Sequence, residues 1–326
     1  MAGDWVPDIL GGPFQQRTLE LGTDDEGPVV ATIVRCLPGW WRGRTGPLAG
    51  VDVLYVHGWS DYFFQADVAR FWTRLGARFH ALDLRKYGRS LRDGQTPGDI
   101  ESLRTYDEDV DAALEAMGPR ESRRLILQGH STGGLVLSLW ADRHAGAADA
   151  VILNSPWLEL QIGSLGRQAL APFVSAVARL DPRAAQPEVD YGFYTRAQRE
   201  IGAIPTLGYR EDWRPGRGFT TRPGWLRAIL AGHAKVAAGL TLDCPILVLV
   251  SARSSSPFTW TEDMTSADSV LVVDDIARAS LKLGEVVTVG RIEGAIHDVF
   301  LSREQPRARA YEIVERWVCG LAHSAR

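Results

Sequence analysis

Ser131 stands between two glycines in the stretch Leu125-Ile126-Leu127-Gln128-Gly129-His130-Ser131-Thr132-Gly133-Gly134-Leu135-Val136-Leu137. A serine hydroxyl is a poor nucleophile at neutral pH. It becomes useful for acyl transfer when a base within hydrogen-bond reach takes its proton and a carboxylate orients that base. The spacing Gly129, Ser131, Gly133 is G-x-S-x-G, the pattern of a strained turn that lifts a serine above a sheet edge while glycines leave room for close backbone approach. In a chain with 33 glycines these five letters alone are weak evidence. The flanks carry the reading: Leu125, Ile126 and Leu127 form a buried-strand run, and Leu135, Val136, Leu139 and Trp140 repeat at helical spacing.

The base must be one of seven histidines. His57 and His130 lie in motifs beside the serine, His80 in an expected strand, His144 at a helix end, His233 at the close of an insertion and His323 in the tail. His297 follows the last expected strand in Glu293-Gly294-Ala295-Ile296-His297-Asp298, after the serine in chain order, as a strand–serine–helix turn of this kind requires. The acid should lie beyond the strand ending at Val250, yet Ser251-Ala252-Arg253-Ser254-Ser255-Ser256 holds no carboxylate. The candidates are Glu262, Asp263, Asp268, Asp274 and Asp275. Asp268 is chosen because it stands just before the apolar run Val270-Leu271-Val272-Val273; Asp263 and Asp274 stay open as alternatives. Acyl transfer also needs two N–H donors for the developing oxyanion. Thr132, next to the nucleophile, supplies one, and Trp59 in His57-Gly58-Trp59 the other. His57, Gly58 and Trp157 are expected around the substrate, with Gly58 letting its loop come close.

Positioning these groups requires strand ends on one edge of a sheet. Two strands around Arg17 to Leu21 and Val29 to Cys36 read as an opening hairpin. Alternation of strand and helix follows: strand Val51 to Val56, helix Gln65 to Leu75, strand Phe79 to Leu84, helix Tyr106 to Met117, then the serine turn and strand Ala150 to Leu153. It resumes with strand Cys244 to Val250, helix Val273 to Leu283, strand Val286 to Ile292 and helix Pro306 to Leu321. Alternation of this kind predicts an α/β fold: a mostly parallel central sheet covered by helices on both faces, with ligands at the carboxyl ends of the strands. Residues 1–155 and 240–326 form this core, and 156–239, where the alternation breaks, read as an inserted helical cap. In the cap, Leu165, Leu170, Phe173 and Val177 recur at helical spacing and are expected to pack on the core, ahead of a loop-rich region through Trp213 and Trp225. Arg210, Arg214 and Arg217 read as a solvated basic face.

The whole chain sets bounds. Its 326 residues are 45% hydrophobic, ample for a buried core. A net charge of −4 gives no general field toward nucleic acid. Cys36, Cys244 and Cys319 are odd in number and far apart, which fits a reducing cytoplasm and neither a disulfide framework nor a zinc site. The first residues lack a signal-peptide pattern, and no apolar run is long enough to span a membrane. No metal or other cofactor is called for, and oligomeric state is left open.

His57-Gly58-Trp59, Asp83-Leu84-Arg85-Lys86-Tyr87-Gly88-Arg89-Ser90, Gly129-His130-Ser131-Thr132-Gly133-Gly134 and His297 resemble the α/β-hydrolase superfamily, most of all its monoacylglycerol lipase and lysophospholipase-like branch. Lys86-Tyr87 stand where that branch usually has a Gly-His pair. The resemblance implies a serine esterase with a Ser131, His297, Asp268 triad, acting on a small acyl ester. Thioester or amide hydrolysis, acyl transfer, cofactor-free peroxidation and ligand sensing without turnover use the same scaffold and stand as alternatives.

Overall fold

The computed structural model describes residues 4–119, 123–184 and 190–324. One nine-stranded sheet organises them, with spatial order β1-β2-β3-β5-β4-β6-β7-β8-β9. The strands are β1 (Val6–Pro7), β2 (Gln15–Asp24), β3 (Gly27–Cys36), β4 (Val51–Val56), β5 (Arg78–Asp83), β6 (Arg124–His130), β7 (Ala150–Asn154), β8 (Ile246–Ser251) and β9 (Val287–Ile292). β1, β2, β3 and β5 pair antiparallel, and every pairing from β5–β4 to β8–β9 is parallel. The central strands β4, β7 and β8 are buried along their whole length, which is why they read as unbroken apolar runs.

Between the strands run α1 (Arg42–Thr45), α2 (Ala66–Arg74), α3 (Tyr106–Ala116) and α4 (Thr132–Arg143). They are followed by α5 (Gly163–Leu180), α6 (Phe193–Glu200), α7 (Pro223–Ala238), α8 (Val273–Ser280) and α9 (Glu304–Ser324). Val68, Phe71 and Trp72 of α2 share one apolar layer with Ala310, Val314 and Val318 of α9. Val110 of α3, Leu135 and Trp140 of α4 and Ile276 of α8 belong to the layer on the other face. Among the described residues no helix is long and apolar enough to cross a membrane.

The insertion between β7 and β8 corrects the sequence reading in three places. Trp225, expected in a loop-rich stretch, lies on α7, a sixteen-residue helix opened by Pro223 at its first position and buried through Trp225, Ile229 and Val236. The expected inward face of α5 is observed only in part: Leu170 packs against the buried Leu160, Val174 and Leu230, but Leu165 and Phe173 point outward. Leu165 and Phe173 are 80% and 69% exposed, while Arg167, Val174 and Ala178 face inward, Arg167 held by Glu159 at 2.8 Å. Arg214 is not part of a solvated face either: it is buried, donating from Nε to Asp61 at 2.9 Å and from Nη2 to Gln198 at 2.9 Å. Arg210 and Arg217 are exposed, and Arg210 pairs with Asp212.

The turn after β5 is tied from several sides. Asp83 accepts from the Phe63 N–H at 2.8 Å and from Arg89 Nη1 at 2.8 Å, and Arg89 also pairs with Asp8 at 2.7 Å. Lys86 adopts a left-handed φ of 61° and reaches Asp24 and Glu26 at 2.6 Å each. The motif Asp83 to Ser90 therefore clamps the opening hairpin and the loop after β4 to the core.

Candidate active site

The carboxyl ends of β4, β6, β7, β8 and β9 meet on one edge of the sheet, and the chemistry-bearing residues collect there. Ser131 leaves β6 with φ 51° and ψ −117°, a conformation that costs a non-glycine residue on the order of 1–3 kcal/mol. The glycines explain how so tight a turn packs. A Cβ on Gly129 would lie 2.6 Å from the Gly134 Cα, one on Gly133 would run into the carbonyl oxygens of Val56 and His57, and one on Gly58 would come 3.1 Å from the Ser131 Cβ. The serine is fixed from behind as well: its N–H donates to the Asn154 carbonyl at 3.0 Å, and its own carbonyl accepts from the Trp157 N–H at 3.0 Å.

His297, in the loop after β9, is buried and donates from Nδ1 to Asp268 Oδ2 at 2.9 Å. Asp268 has no exposed surface, and its other oxygen, Oδ1, accepts from the N–H groups of Val270 and Leu271, each at 2.8 Å. With Nδ1 carrying the proton, the neutral imidazole keeps its lone pair on Nε2. The long loop after β8 folds back to deliver this carboxylate. The Asp268 N–H donates to the Arg253 carbonyl at 3.0 Å and the Ser255 N–H to the Asp268 carbonyl at 2.8 Å, a bridge that brings residue 268 beside the strand end. The other candidate acids lie elsewhere. Asp263 pairs with Arg253, Asp274 with Arg291 and Asp275 with Arg278, and Glu262 is exposed.

The N–H of Thr132 is the first of α4 and has no intrahelical acceptor. Trp59 follows Gly58, which packs against Ser131 and His130, in the loop after β4. His57, expected among the residues that meet substrate, has a different task. Its Nε2 accepts from the Leu84 N–H at 3.1 Å and its Nδ1 donates to the Gly58 carbonyl at 2.7 Å, so both ring nitrogens brace the main chain. Burial holds the pKa of His57 below the ordinary imidazole value, and burial together with the nearby His297 does the same for His130, so both stay neutral.

Sequence reasoning missed the residues that hold the His297 loop. Asp298 accepts from Asn154 Nδ2 at 2.7 Å and from the Phe300 N–H at 3.0 Å, Asn154 Oδ1 accepts from the Val299 N–H at 3.1 Å, and Gln65 Nε2 reaches the other Asp298 oxygen at 3.3 Å. From α6, Tyr194 accepts the Asp298 N–H on its hydroxyl at 3.1 Å and sets its ring edge-on to His297, centroids 5.5 Å apart. The only local signal was an aspartate directly after the histidine. No group of His, Cys, Asp and Glu among the described residues has the arrangement of a metal site.

A parallel sheet with a strained serine turn between β6 and α4 defines an α/β-hydrolase. The family model for serine aminopeptidase S33 (Hydrolase_4) matches residues 51–254, and the chain belongs to this family. No curated protein matches it in sequence. Among solved structures it is similar to a monoacylglycerol lipase from Paleococcus ferrophilus, with 15% identity over 83% of this chain and 94% of that one, at a TM-score of 0.62. It is similar to a soluble variant of monoglyceride lipase from Saccharomyces cerevisiae bound to a substrate analogue, with 14% identity over 97% of both chains and a TM-score of 0.65. A thermostable carboxyl esterase from Bacillus coagulans, bound to glycerol, has 14% identity over 94% of this chain and 99% of its own, with a TM-score of 0.65. At these identities the likeness is one of fold.

Proposed function

We propose that the protein is a serine hydrolase that cleaves a carboxylic ester through an acyl-enzyme, with Ser131 as nucleophile, His297 as base and then acid, and Asp268 as the orienting carboxylate. Residues 156–239 form a helical cap over this site. The observation that carries the reading is the buried Asp268–His297 pair at 2.9 Å, on the same sheet edge as a serine held in a left-handed turn. Ser131 Oγ attacks the acyl carbonyl while His297 Nε2 takes its proton. The Nδ1–H bond to Asp268 favours the imidazolium that forms. The N–H groups of Trp59 and Thr132 receive the oxyanion. His297 then returns the proton to the departing alkoxide, and a water molecule repeats the sequence on the acyl-serine to release the acid.

The likeness in fold to monoacylglycerol lipases and a carboxyl esterase supports an ester as the substrate class. Cys36 and Cys244, both buried as free thiols, are consistent with a reducing cytoplasm. The test is labelling with a fluorophosphonate probe followed by turnover of p-nitrophenyl esters. Labelling of Ser131 with multiple turnovers is expected. Ligand binding without product release would replace this reading with a receptor.

A further inference from the structure

Two tryptophans belong to segments that touch the nucleophile: Trp59 follows Gly58, on which a Cβ would lie 3.1 Å from the Ser131 Cβ, and Trp157 donates its main-chain N–H to the Ser131 carbonyl. Trp225 of α7 joins them: its ring centroid is 3.8 Å from that of Trp59, with planes 38° apart, and 5.8 Å from that of Trp157. No ligand group fits between rings 3.8 Å apart. Tyr87 and Phe219 close on Trp59 edge-on at 5.9 and 6.1 Å. Behind Trp59, a Cβ on Gly98 would lie 2.6 Å from the indole, so the main chain stops this ring from swinging away. Trp225 and Tyr87 are buried, and Ser131 itself is 8% exposed.

We propose that Trp59, Trp157 and Trp225 form a wall that limits the acyl group to short aliphatic chains, acetyl to about butyryl, with Trp225 as the residue that sets the limit; this rests on the serine-esterase reading above. An acyl group on Ser131 Oγ lies between the loops that carry Trp59 and Trp157, since Gly58 packs on the Ser131 Cβ and the Trp157 N–H is bonded to the Ser131 carbonyl, and Trp225 joins the two indoles. An apolar wall discriminates steeply, since a single methylene is worth roughly 10–200-fold in such a pocket. Trp225 comes from the cap and has no part in the proton transfers, so its truncation enlarges the site without touching the triad.

The experiment measures kcat/KM for p-nitrophenyl acetate, butyrate, octanoate and palmitate on the full chain and on Trp225→Ala, Trp225→Leu and Trp213→Ala. In the wild type, octanoate is expected at least about tenfold below butyrate. Trp225→Ala raises the octanoate-to-acetate ratio by about tenfold or more, and Trp225→Leu raises it less and covers the case in which the alanine variant fails to fold. Trp40, 69% exposed and packed on Trp41, and Trp213, packed on Tyr62 with centroids 5.3 Å apart, both lie outside the Trp59–Trp225–Trp157 group, and truncating Trp213 leaves the ratio where it was. Rates that climb with chain length in the wild type, or a folded Trp225 variant with an unchanged ratio, overturn the proposal while leaving the esterase reading intact. No ester turnover and no fluorophosphonate label on Ser131 overturn the esterase reading, and the chain-length limit with it.

Discussion

Asp268→Asn is the most informative single change, because the structure dictates which way the new amide must point. In the wild type, Oδ1 accepts two N–H groups, from Val270 and Leu271, and Oδ2 accepts the His297 Nδ1–H. An asparagine that keeps its oxygen on the two backbone donors turns its NH2 toward His297, and Nδ1 must then accept. The imidazole proton moves to Nε2, and the lone pair needed to receive the Ser131 proton is lost. The flipped amide would restore the bond to His297 but set its NH2 against two buried N–H groups, leaving donors without acceptors at about 1–3 kcal/mol each. The wrong tautomer is therefore the stable arrangement. The loss expected for it is on the order of 10⁴-fold in kcat, about 5 kcal/mol of transition-state stabilisation. Thermal unfolding should shift little, since both backbone bonds survive. Asp263→Asn and Asp274→Asn supply the contrast. Their ion pairs with Arg253 and Arg291 have carboxylates 64% and 62% exposed and are worth about 0–1 kcal/mol, so turnover should stay near wild type. A short-chain ester assay on the three variants decides. Asp268→Asn within tenfold of wild type, or a larger loss at Asp274, would refute the tautomer argument.

Ser131→Ala should fold, lose fluorophosphonate labelling and lose at least about 10³-fold in turnover. Ser131→Gly should unfold at a higher temperature than Ser131→Ala, because φ 51° with ψ −117° suits glycine alone; a lower midpoint would show that the turn is not strained. Gly133→Ala should give little folded protein, since the new methyl meets main-chain oxygens of β4 and its loop, whereas Gly39→Ala, with open space around it, should unfold near wild type. Burial, aided by Arg78 and Arg35, lowers His80 to about 3, and burial lowers His233 to about 4. The fold keeps both imidazoles neutral while the unfolded chain protonates them near pH 6.5, so their share of stability is complete above about pH 6.5 and is lost as pH falls toward 4 and 3. Asp109, raised to about 6 by burial, acts in the opposite direction between its unfolded value and pH 6. Urea midpoints from pH 7.5 to 4 should therefore fall with acidity, and fall less in His80→Leu; an equal slope in that variant would remove His80 from the account.

What could be read from the sequence was chemistry confined to a few neighbouring residues and periodicity within one element. Val51–Val56 was legible because a strand buried on both faces has to be apolar throughout, and the serine turn because its glycines answer a local steric demand. Asp268 was legible only by position, since the Arg253–Ser255 bridge that returns the loop has no signature in residue type. The misreadings share one cause. The periodicity of α5 announces a helix and an apolar stripe but cannot say which face meets a neighbour. A buried Arg167 becomes acceptable only because Glu159 lies within reach. Likewise α7 begins with Pro-Gly-Trp, which looks like loop, although Pro at the first position starts a helix and Leu226 to Ala238 are mostly good helix formers; only packing shows that Trp225 and Ile229 are its buried face. The clasp around His297 depends on Asn154, Gln65 and Tyr194, each more than a hundred residues away in the chain. Trp59 shows the division within a single residue. Its place after His57-Gly58 and before a helix is visible in the sequence, while the packing of its indole exists only once α7 has brought Trp225 to 3.8 Å. On this scaffold the strand–serine–helix turn is therefore written in local motifs, and the packing around it in contacts made by the inserted helices.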